Sequence, residues 1–138
     1  KYGVTSEFIE LTSKINYAMP GHLVSSLERK LGGLSKKKCL VIGVTYKPNI
    51  ADTRETPASE VVDELSRRGV YVKWHDPLVS GWKGEVSSSV TGDYDFALVL
   101  AAHDALDLGG WNGAPIFSVR SNLRHPEWIS LIDLGSEV

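Results

Sequence analysis

The sequence predicts an α/β fold: an open, mainly parallel sheet flanked by helices and preceded by a long N-terminal helix. Two short, continuous apolar runs, Cys39–Val44 and Phe96–Ala101, are typical of parallel strands that are buried on both faces. Strand-like runs alternate with helical patterns or loops through the rest of the chain, which favours a parallel sheet over a sandwich.

The N-terminal helix is predicted from apolar residues that recur at alternating spacings of four and three between Val4 and Ala18. The pattern predicts a helix over about residues 5–31. Pro20 interrupts it, and because proline lacks the backbone donor we expect a kink or a new helix start there.

The domain boundary is placed at the glycine pair 32–33 and the polar run Ser35–Lys38, which together predict a hinge. We therefore divide the chain into residues 1–34, the end of a linker helix, and residues 35–138, the globular domain.

The first half of the domain is predicted to be a β-loop-α-β unit. Cys39–Val44 is its first strand. Thr56-Pro57 is a favourable helix start, Gly69 a favourable stop, and Val70–Trp74 the second strand.

The second half is predicted as strands joined mainly by loops. Residues 78–95 are expected to be loop, with one weak strand around Val86. Strands are predicted at Phe96–Ala101, at Ile116–Val119 and, as an edge strand, at Trp128–Leu134.

The composition of the chain bears on whether it binds nucleic acid, metal ions or membranes. The 15 basic and 17 acidic residues give a net charge of −2, and no basic face indicates nucleic acid. The single cysteine and four scattered histidines indicate neither a disulfide nor a metal site. No run approaches the roughly 20 apolar residues that span a bilayer, so we expect a cytoplasmic protein with no membrane partner.

The loop after the first strand, Thr45–Glu55, is longer than the usual 2 to about 6 residues and holds Tyr46, Lys47 and Arg54. Lysine and arginine suit phosphate or carboxylate groups, and the helix starting at Pro57 adds a positive dipole end. The alternative, that Lys47 and Arg54 are ordinary surface charges with Arg54 paired to a neighbouring carboxylate, has equal weight on spacing alone.

At this loop the sequence resembles a known family. Gly43–Ala58 is similar to the G-x-x-Y-K-x-x-x-x-D-x-R-x-S-P-A stretch in the C-terminal domain of the UDP-glucose/GDP-mannose dehydrogenase family. The resemblance continues through Gly69–Val72, His75–Pro77, Ala97–Asp104 and Phe117–Asn122. It implies a Rossmann-like, nucleotide-sugar-binding domain.

The resemblance implies roles for four residues. Tyr46 and Lys47 match positions that contact the bound UDP-sugar, and Arg120 matches a later arginine that binds the same nucleotide. Arg54 matches an arginine that reaches toward the NAD held by the other domain. The chain departs from the family in having Ser118 where an aspartate is usual before the later arginine.

The implied reaction is an NAD-dependent double oxidation of the C6 alcohol of a UDP-hexose to a carboxylate, through a cysteine. The family's catalytic cysteine lies upstream of the point where this chain begins. Its glycine-rich NAD loop belongs to an N-terminal NAD-binding domain, so the implied partner is that domain. Cys39 opens an apolar strand and is predicted to be a buried structural residue. Because the chain starts at Lys1, we expect a fragment that is not itself catalytic.

The segment Ile15–Pro20 is similar to the I-N-x-x-M-P segment of the UDP-N-acetylhexosamine branch. It favours an N-acetylated UDP-hexose, with UDP-glucose as the alternative. In this family the long helix lies in a dimer core, which implies a homodimer; packing of its apolar stripe on its own domain has equal weight.

The remaining candidates favour structural roles. His75 and His103 follow strand ends, where lining of the crevice is the alternative to the turn-shaping role that we expect. Trp82, Trp111 and Trp128 are assigned to packing. Two functions stay open: the sugar-binding part of a dehydrogenase, or an autonomous nucleotide-binding or interaction module.

Overall fold

The computed structural model describes residues 20–119 and 124–131 of the 138-residue chain. The expectations for residues 1–19, for Arg120 and for the end of the last predicted strand lie outside the described residues.

The domain is built on a five-stranded parallel sheet with the order β2-β1-β5-β6-β7. A separate antiparallel hairpin, β3-β4, follows β2 in the chain. The strands are β1 Lys38–Ile42, β2 Tyr71–His75, β3 Gly81–Trp82, β4 Glu85–Val86, β5 Phe96–Val99, β6 Ile116–Ser118 and β7 Ile129–Ser130. The predicted open, parallel α/β sheet is confirmed.

Two helices are described, α1 over residues 20–31 and α2 over Ala58–Arg67. α1 ends at the predicted glycine pair: Gly32 has a φ of 73°, and the Gly33 N–H donates to the carbonyl of Glu28 at 3.1 Å. α2 ends just before Gly69, whose φ is 87°. Both stops use the left-handed conformation that glycine adopts without steric cost.

Alternate residues of β1 point to two different cores. Both helices pack on one face of the sheet, in a core that includes Leu27, Val41 and Leu65. The opposite face is covered by loop side chains such as Tyr94 and Trp111 rather than by a described helix. The described helices therefore lie on one side of the sheet.

The N-terminal helix packs on its own domain over its described turns. Leu23, Val24 and Leu27 are buried in the core shared with β1 and α2. Burial of three aliphatic side chains of this size contributes about 1.5–3 kcal/mol each. The residues that would reach a dimer partner before Pro20 lie outside the described ranges, so the dimer contact stays a prediction.

Four predicted strands are confirmed with shifts of one or two residues at their ends. The last, predicted at Trp128–Leu134, is a strand at Ile129–Ser130, and its predicted end lies outside the described residues. The region predicted as loop with one weak strand contains a hairpin instead, because Gly81–Trp82 pairs with Glu85–Val86. In the portion of the chain that the structure covers, no helix has both the length and the apolar character needed to cross a membrane.

Candidate functional site

The candidate site lies at the carboxyl ends of β1, β2 and β5, the edge where parallel sheets usually bind ligands. The segment after β1, residues 43–57, is called the 43–57 loop. It starts at Gly43, whose φ is 86° and which faces the backbone of Ala101. A β-carbon there would lie 2.2 Å from the Ala101 carbonyl oxygen, so only glycine lets the loop begin beside the end of β5.

A buried His103–Asp76 pair lies beneath the loop. The Nε2 atom of His103 is 2.9 Å from Oδ2 of Asp76, and neither side chain is exposed to solvent. The same carboxylate oxygen accepts the Val44 N–H at 2.8 Å, and Oδ1 accepts the Leu78 N–H at 2.8 Å. The carboxylate therefore joins the loops after β1, β2 and β5.

The other ring nitrogen of His103 fixes the tautomer. The backbone N–H of Asn49 donates to Nδ1 at 2.7 Å, so Nδ1 is an acceptor and the proton lies on Nε2, which donates to Asp76. Nε2 also lies 3.2 Å from the hydroxyl of Thr45, which itself donates to the carbonyl of Lys47 at 2.8 Å.

Asn49 makes a second connection between the same loops. Its Oδ1 accepts the backbone N–H of Asp104 at 2.7 Å, and its φ of 66° is one that asparagine tolerates better than most side chains. At the start of the loop the Tyr46 N–H donates to the carbonyl of Asp52 at 2.8 Å. The middle of the loop is thus closed on itself and bonded to the loop after β5.

Tyr46 and Lys47 project from this tied loop into solvent. Tyr46 is 52% exposed, and the Lys47 ammonium lies 5.3 Å from the centre of the Tyr46 ring. Among the described residues Lys47 forms no ion pair. An aromatic face and an uncompensated positive charge are therefore presented side by side, which suits a ring carrying a phosphate group.

Arg54 forms an ion pair with the neighbouring carboxylate of Asp52, which was one of the two alternatives predicted for it. Its Nε and Nη2 atoms bind the two carboxylate oxygens of Asp52, each at 3.0 Å, while the side chain remains 88% exposed. The hydrogen bonds from Arg54 hold the pKa of Asp52 below its ordinary value, and Asp52 raises the pKa of Arg54. These residues line a shallow cavity of about 340 Å³ with Tyr46 and Glu55.

The structure brings Tyr46 and Arg54 to one cavity and places Lys47 beside Tyr46. Arg120 lies outside the described residues, although Ser118, two positions earlier, is buried at the end of β6. Arg124, beyond that gap, pairs with the carboxylate of Asp104.

The Cys39 thiol lies in the core of the domain, as predicted. Cys39 is fully buried in β1, and burial raises the pKa of its thiol far above the ordinary value, which leaves it protonated and unreactive. Within residues 20–119 and 124–131, no group of three or more histidine, cysteine, aspartate or glutamate side chains is arranged to hold a metal ion.

The hydrogen-bond network around His103 was only partly predicted. His75 and His103 were expected to shape turns, and both do: His103 as described, and His75 through a 2.7 Å contact between its Nδ1 and the Ser88 carbonyl. The pairing of His103 with Asp76 and Asn49 was not predicted. The available signal was the position of each at a strand end or in the long loop of one parallel sheet, which brings all three to the same edge.

An open parallel sheet whose carboxyl-edge loop carries an exposed tyrosine, lysine and arginine defines an α/β domain of the nucleotide-binding class. Residues 40–120 match the model of the UDP-glucose/GDP-mannose dehydrogenase family, UDP binding domain. The match covers more than half of the chain, and the chain belongs to this family.

Named relatives agree with the family match. The chain is 34% identical over 104 residues to the UDP-N-acetyl-D-mannosamine dehydrogenase of Methanococcus maripaludis, covering 72% of this chain and 24% of that protein. It is similar to the UDP-N-acetyl-mannosamine dehydrogenase Cap5O from S. aureus, with a TM-score of 0.67, 25% identity, and coverage of 83% of this chain and 30% of the other.

A third relative is the UDP-glucose dehydrogenase from Pyrobaculum islandicum, with a TM-score of 0.66 and 26% identity over 86% of this chain and 30% of the other. The chain spans about a quarter of the length of the curated relatives that it matches.

Proposed function

We propose that this domain binds the nucleotide-sugar substrate of an NAD-dependent UDP-sugar 6-dehydrogenase, and that Tyr46, Lys47 and Arg120 are the residues that bind it. The observation that carries the proposal is an exposed Tyr46 ring beside a Lys47 ammonium that forms no ion pair with any described residue. Both lie on a loop that is hydrogen-bonded to the loops after β2 and β5.

The chemistry of the two exposed side chains fits such a ligand. A nucleotide-sugar carries two phosphates and three rings, those of the base, the ribose and the hexose. A lysine that forms no ion pair with any described residue offers a charge-assisted hydrogen bond to a phosphate oxygen. The neighbouring tyrosine offers an apolar ring face and a hydroxyl. Arg120, two positions after the last residue of β6 in the sequence, would add a forked donor.

Arg54 is proposed to meet NAD, which would be held mainly by a separate N-terminal domain and would accept the hydride in the oxidation. Arg54 fits this position because its side chain is 88% exposed and its pairing with Asp52 fixes the guanidinium in a defined direction. Its Nη1 group takes no part in that pair and remains available to a phosphate oxygen.

The preferred substrate is proposed to be an N-acetylated UDP-hexose. The sequence segment Ile15–Pro20 and the relatives named as UDP-N-acetyl-D-mannosamine dehydrogenases support this choice. UDP-glucose is the alternative, because UDP-glucose dehydrogenases are also among the relatives. On the same basis we propose residues 1–34 as a linker helix, a homodimer through that helix, and a cytoplasmic location.

A second candidate is an autonomous nucleotide-binding or interaction module without dehydrogenase activity. One observation favours it: the described residues bury a core on each face of the sheet without help from another domain. Such a module would bind the same ligands, and only the presence of an oxidoreductase activity separates the two candidates.

Calorimetric titration of the chain tests the binding proposal, with UDP, UDP-N-acetylglucosamine, UDP-glucose, GDP-mannose and NAD as ligands. We expect a UDP-sugar to bind more tightly than GDP-mannose, and NAD to bind weakly. The same titration on the longer protein that includes the NAD-binding domain is the reference. Equal affinity for uridine and guanosine ligands in both proteins would contradict the proposal.

A further inference from the structure

We propose that His103 is a positioning residue: it ties the backbone of Asn49 to the buried Asp76 and so holds Tyr46 and Lys47 in the geometry that binds the nucleotide-sugar. The inference rests on the proposed function of those two residues. His103 itself is buried and does not reach the exposed face of the loop.

The first step is that the loop has little packing of its own. Residues 46–51 are all exposed, so burial of apolar surface cannot fix their conformation. What fixes them is a small set of hydrogen bonds, and the one at the centre of the segment is the 2.7 Å bond from the Asn49 N–H to Nδ1 of His103. A loop without buried apolar contacts opens at low free-energy cost unless such bonds hold it.

The second step is that the acceptor is itself fixed. Asp76 accepts the Nε2–H of His103 at 2.9 Å, which keeps the proton on Nε2 and the lone pair on Nδ1 facing Asn49. Asp76 is held in turn by the Val44 N–H at 2.8 Å. The His103 ring therefore connects the exposed loop to the buried Asp76 carboxylate, and its two hydrogen bonds fix the orientation of the ring.

The third step is that the two ring nitrogens have different roles: Nδ1 accepts the Asn49 N–H and so holds the loop, whereas Nε2 donates to Asp76 and orients the ring. Asparagine places its Oδ1 at the distance of Nδ1 and keeps an acceptor for Asn49, but loses the donor to Asp76. Glutamine places its amide nitrogen near Nε2 and keeps the donor, but loses the acceptor. Each variant breaks one of the two hydrogen bonds. Comparison of the two variants therefore separates the effect of the bond to the loop from the effect of the bond to the buried Asp76.

The test compares His103→Asn and His103→Gln by titration with UDP, alongside urea unfolding. Both variants are expected to lose stability. We expect His103→Asn, which keeps the acceptor for the loop, to bind UDP within about threefold of the parent chain. We expect His103→Gln, which leaves the part-buried Asn49 N–H without this acceptor, to bind at least about tenfold more weakly. His75→Gln is the matched control, since that ring contacts the Ser88 carbonyl and not the loop, and its affinity should be unchanged.

Equal losses of affinity in the two His103 variants, or losses that simply follow their unfolding midpoints, would overturn the positioning role. Hydrogen exchange of the Asn49 amide gives a second readout without ligand: slow in the parent chain and in His103→Asn, fast in His103→Gln. If neither the parent chain nor the longer protein binds a UDP-sugar, the proposed function fails, while this exchange measurement still decides whether His103 holds Asn49.

If a His103 variant does not fold, the inference can still be tested on the parent chain. Nitrogen NMR of the imidazole should show a protonated Nε2 and an unprotonated Nδ1, with a coupling across the hydrogen bond from the Asn49 N–H. A protonated Nδ1 in the neutral ring would overturn the inference.

Discussion

Gly43 lies against the backbone of Ala101 so closely that a β-carbon on Gly43 would be 2.2 Å from the Ala101 carbonyl oxygen and 2.7 Å from its nitrogen. The contact is between backbone atoms, which cannot rotate aside. The contact places the start of the 43–57 loop directly beside the segment that follows β5, and so fixes the distance between these two parts of the candidate site.

Replacing Gly43 by alanine should therefore destabilise the domain by at least about 2 kcal/mol, from the clash together with the strained φ of 86°. Urea unfolding measures the loss. Gly84→Ala is the matched control: its φ is 77°, but a β-carbon would meet nothing within 4 Å, so it should cost only about 1 kcal/mol. Equal losses at both glycines would show that the close approach to Ala101 contributes nothing.

Lys47→Ala should weaken UDP binding by about 1.5–3 kcal/mol, because it removes a charge-assisted hydrogen bond to phosphate. Arg120→Ala should have an effect of the same size. Lys83→Ala is the control for Lys47, since Lys83 also lies over an aromatic ring, 5.5 Å from the centre of Trp82, but on the β3-β4 hairpin. Calorimetry with UDP should leave the Lys83 variant unchanged; unaltered affinity in both Lys47 and Arg120 variants would remove the site assignment.

Arg54→Ala should act on NAD and not on UDP. In the longer protein with its N-terminal domain, the apparent affinity for NAD should fall, while UDP binding by this chain stays within about twofold because the side chain points into solvent. A strong loss of UDP affinity in the isolated chain would instead place Arg54 in the sugar-nucleotide site. Lys83→Ala again serves as the control for a distant exposed cation.

The Asp52 carboxyl should titrate below its ordinary pKa of 3.8, because hydrogen bonds from Arg54 favour its charged form. A depressed pKa means that the pair stabilises the loop above the unfolded pKa, and that this contribution is lost as the pH falls through the folded pKa. Carbon NMR of the Asp52 carboxyl measures the midpoint. Arg54→Gln should return the midpoint toward the ordinary value, and a midpoint that does not move would mean that the pair is absent in solution.

The Cys39 thiol should resist aromatic disulfide reagents at pH 8 in the folded chain and react fully in denaturant. Burial raises the pKa of this thiol, so the reactive thiolate is absent from the native state. Because the folded pKa is raised, stability should decline as the pH rises beyond the unfolded value of about 8.5. Rapid labelling without denaturant would show that β1 opens locally.

The parallel sheet was predictable because Cys39–Val44 and Phe96–Ala101 are apolar along their whole length, which few environments other than a two-sided core allow. The β3-β4 hairpin was only half predicted, because Gly81–Trp82 is too short to show alternation. Tyr46, Lys47 and Arg54 were found from the length and charge of their loop.

The connections that shape the site were beyond a pattern in the sequence. Asp76 and His103 are 27 positions apart and Asn49 and His103 are 54 apart, and neither pair has a spacing that marks it as a contact. Only the topology, with β1 between β2 and β5, brings them together. Local chemistry thus pointed to the exposed residues of the candidate site, while the buried contacts beneath them depended on the tertiary fold.

The central place of β1 also governs the order in which the chain can be assembled. β1 pairs on one side with β5, and the bond that opens this pairing joins Lys38 to Asp95, 57 positions later. During synthesis from the N-terminus, β1, α2 and β2 can therefore associate first, while the other edge of an apolar strand stays open. Until Phe96–Val99 has left the ribosome, that edge of β1 lacks its partner strand, and we expect it to be the part of the nascent chain most open to pairing with another chain.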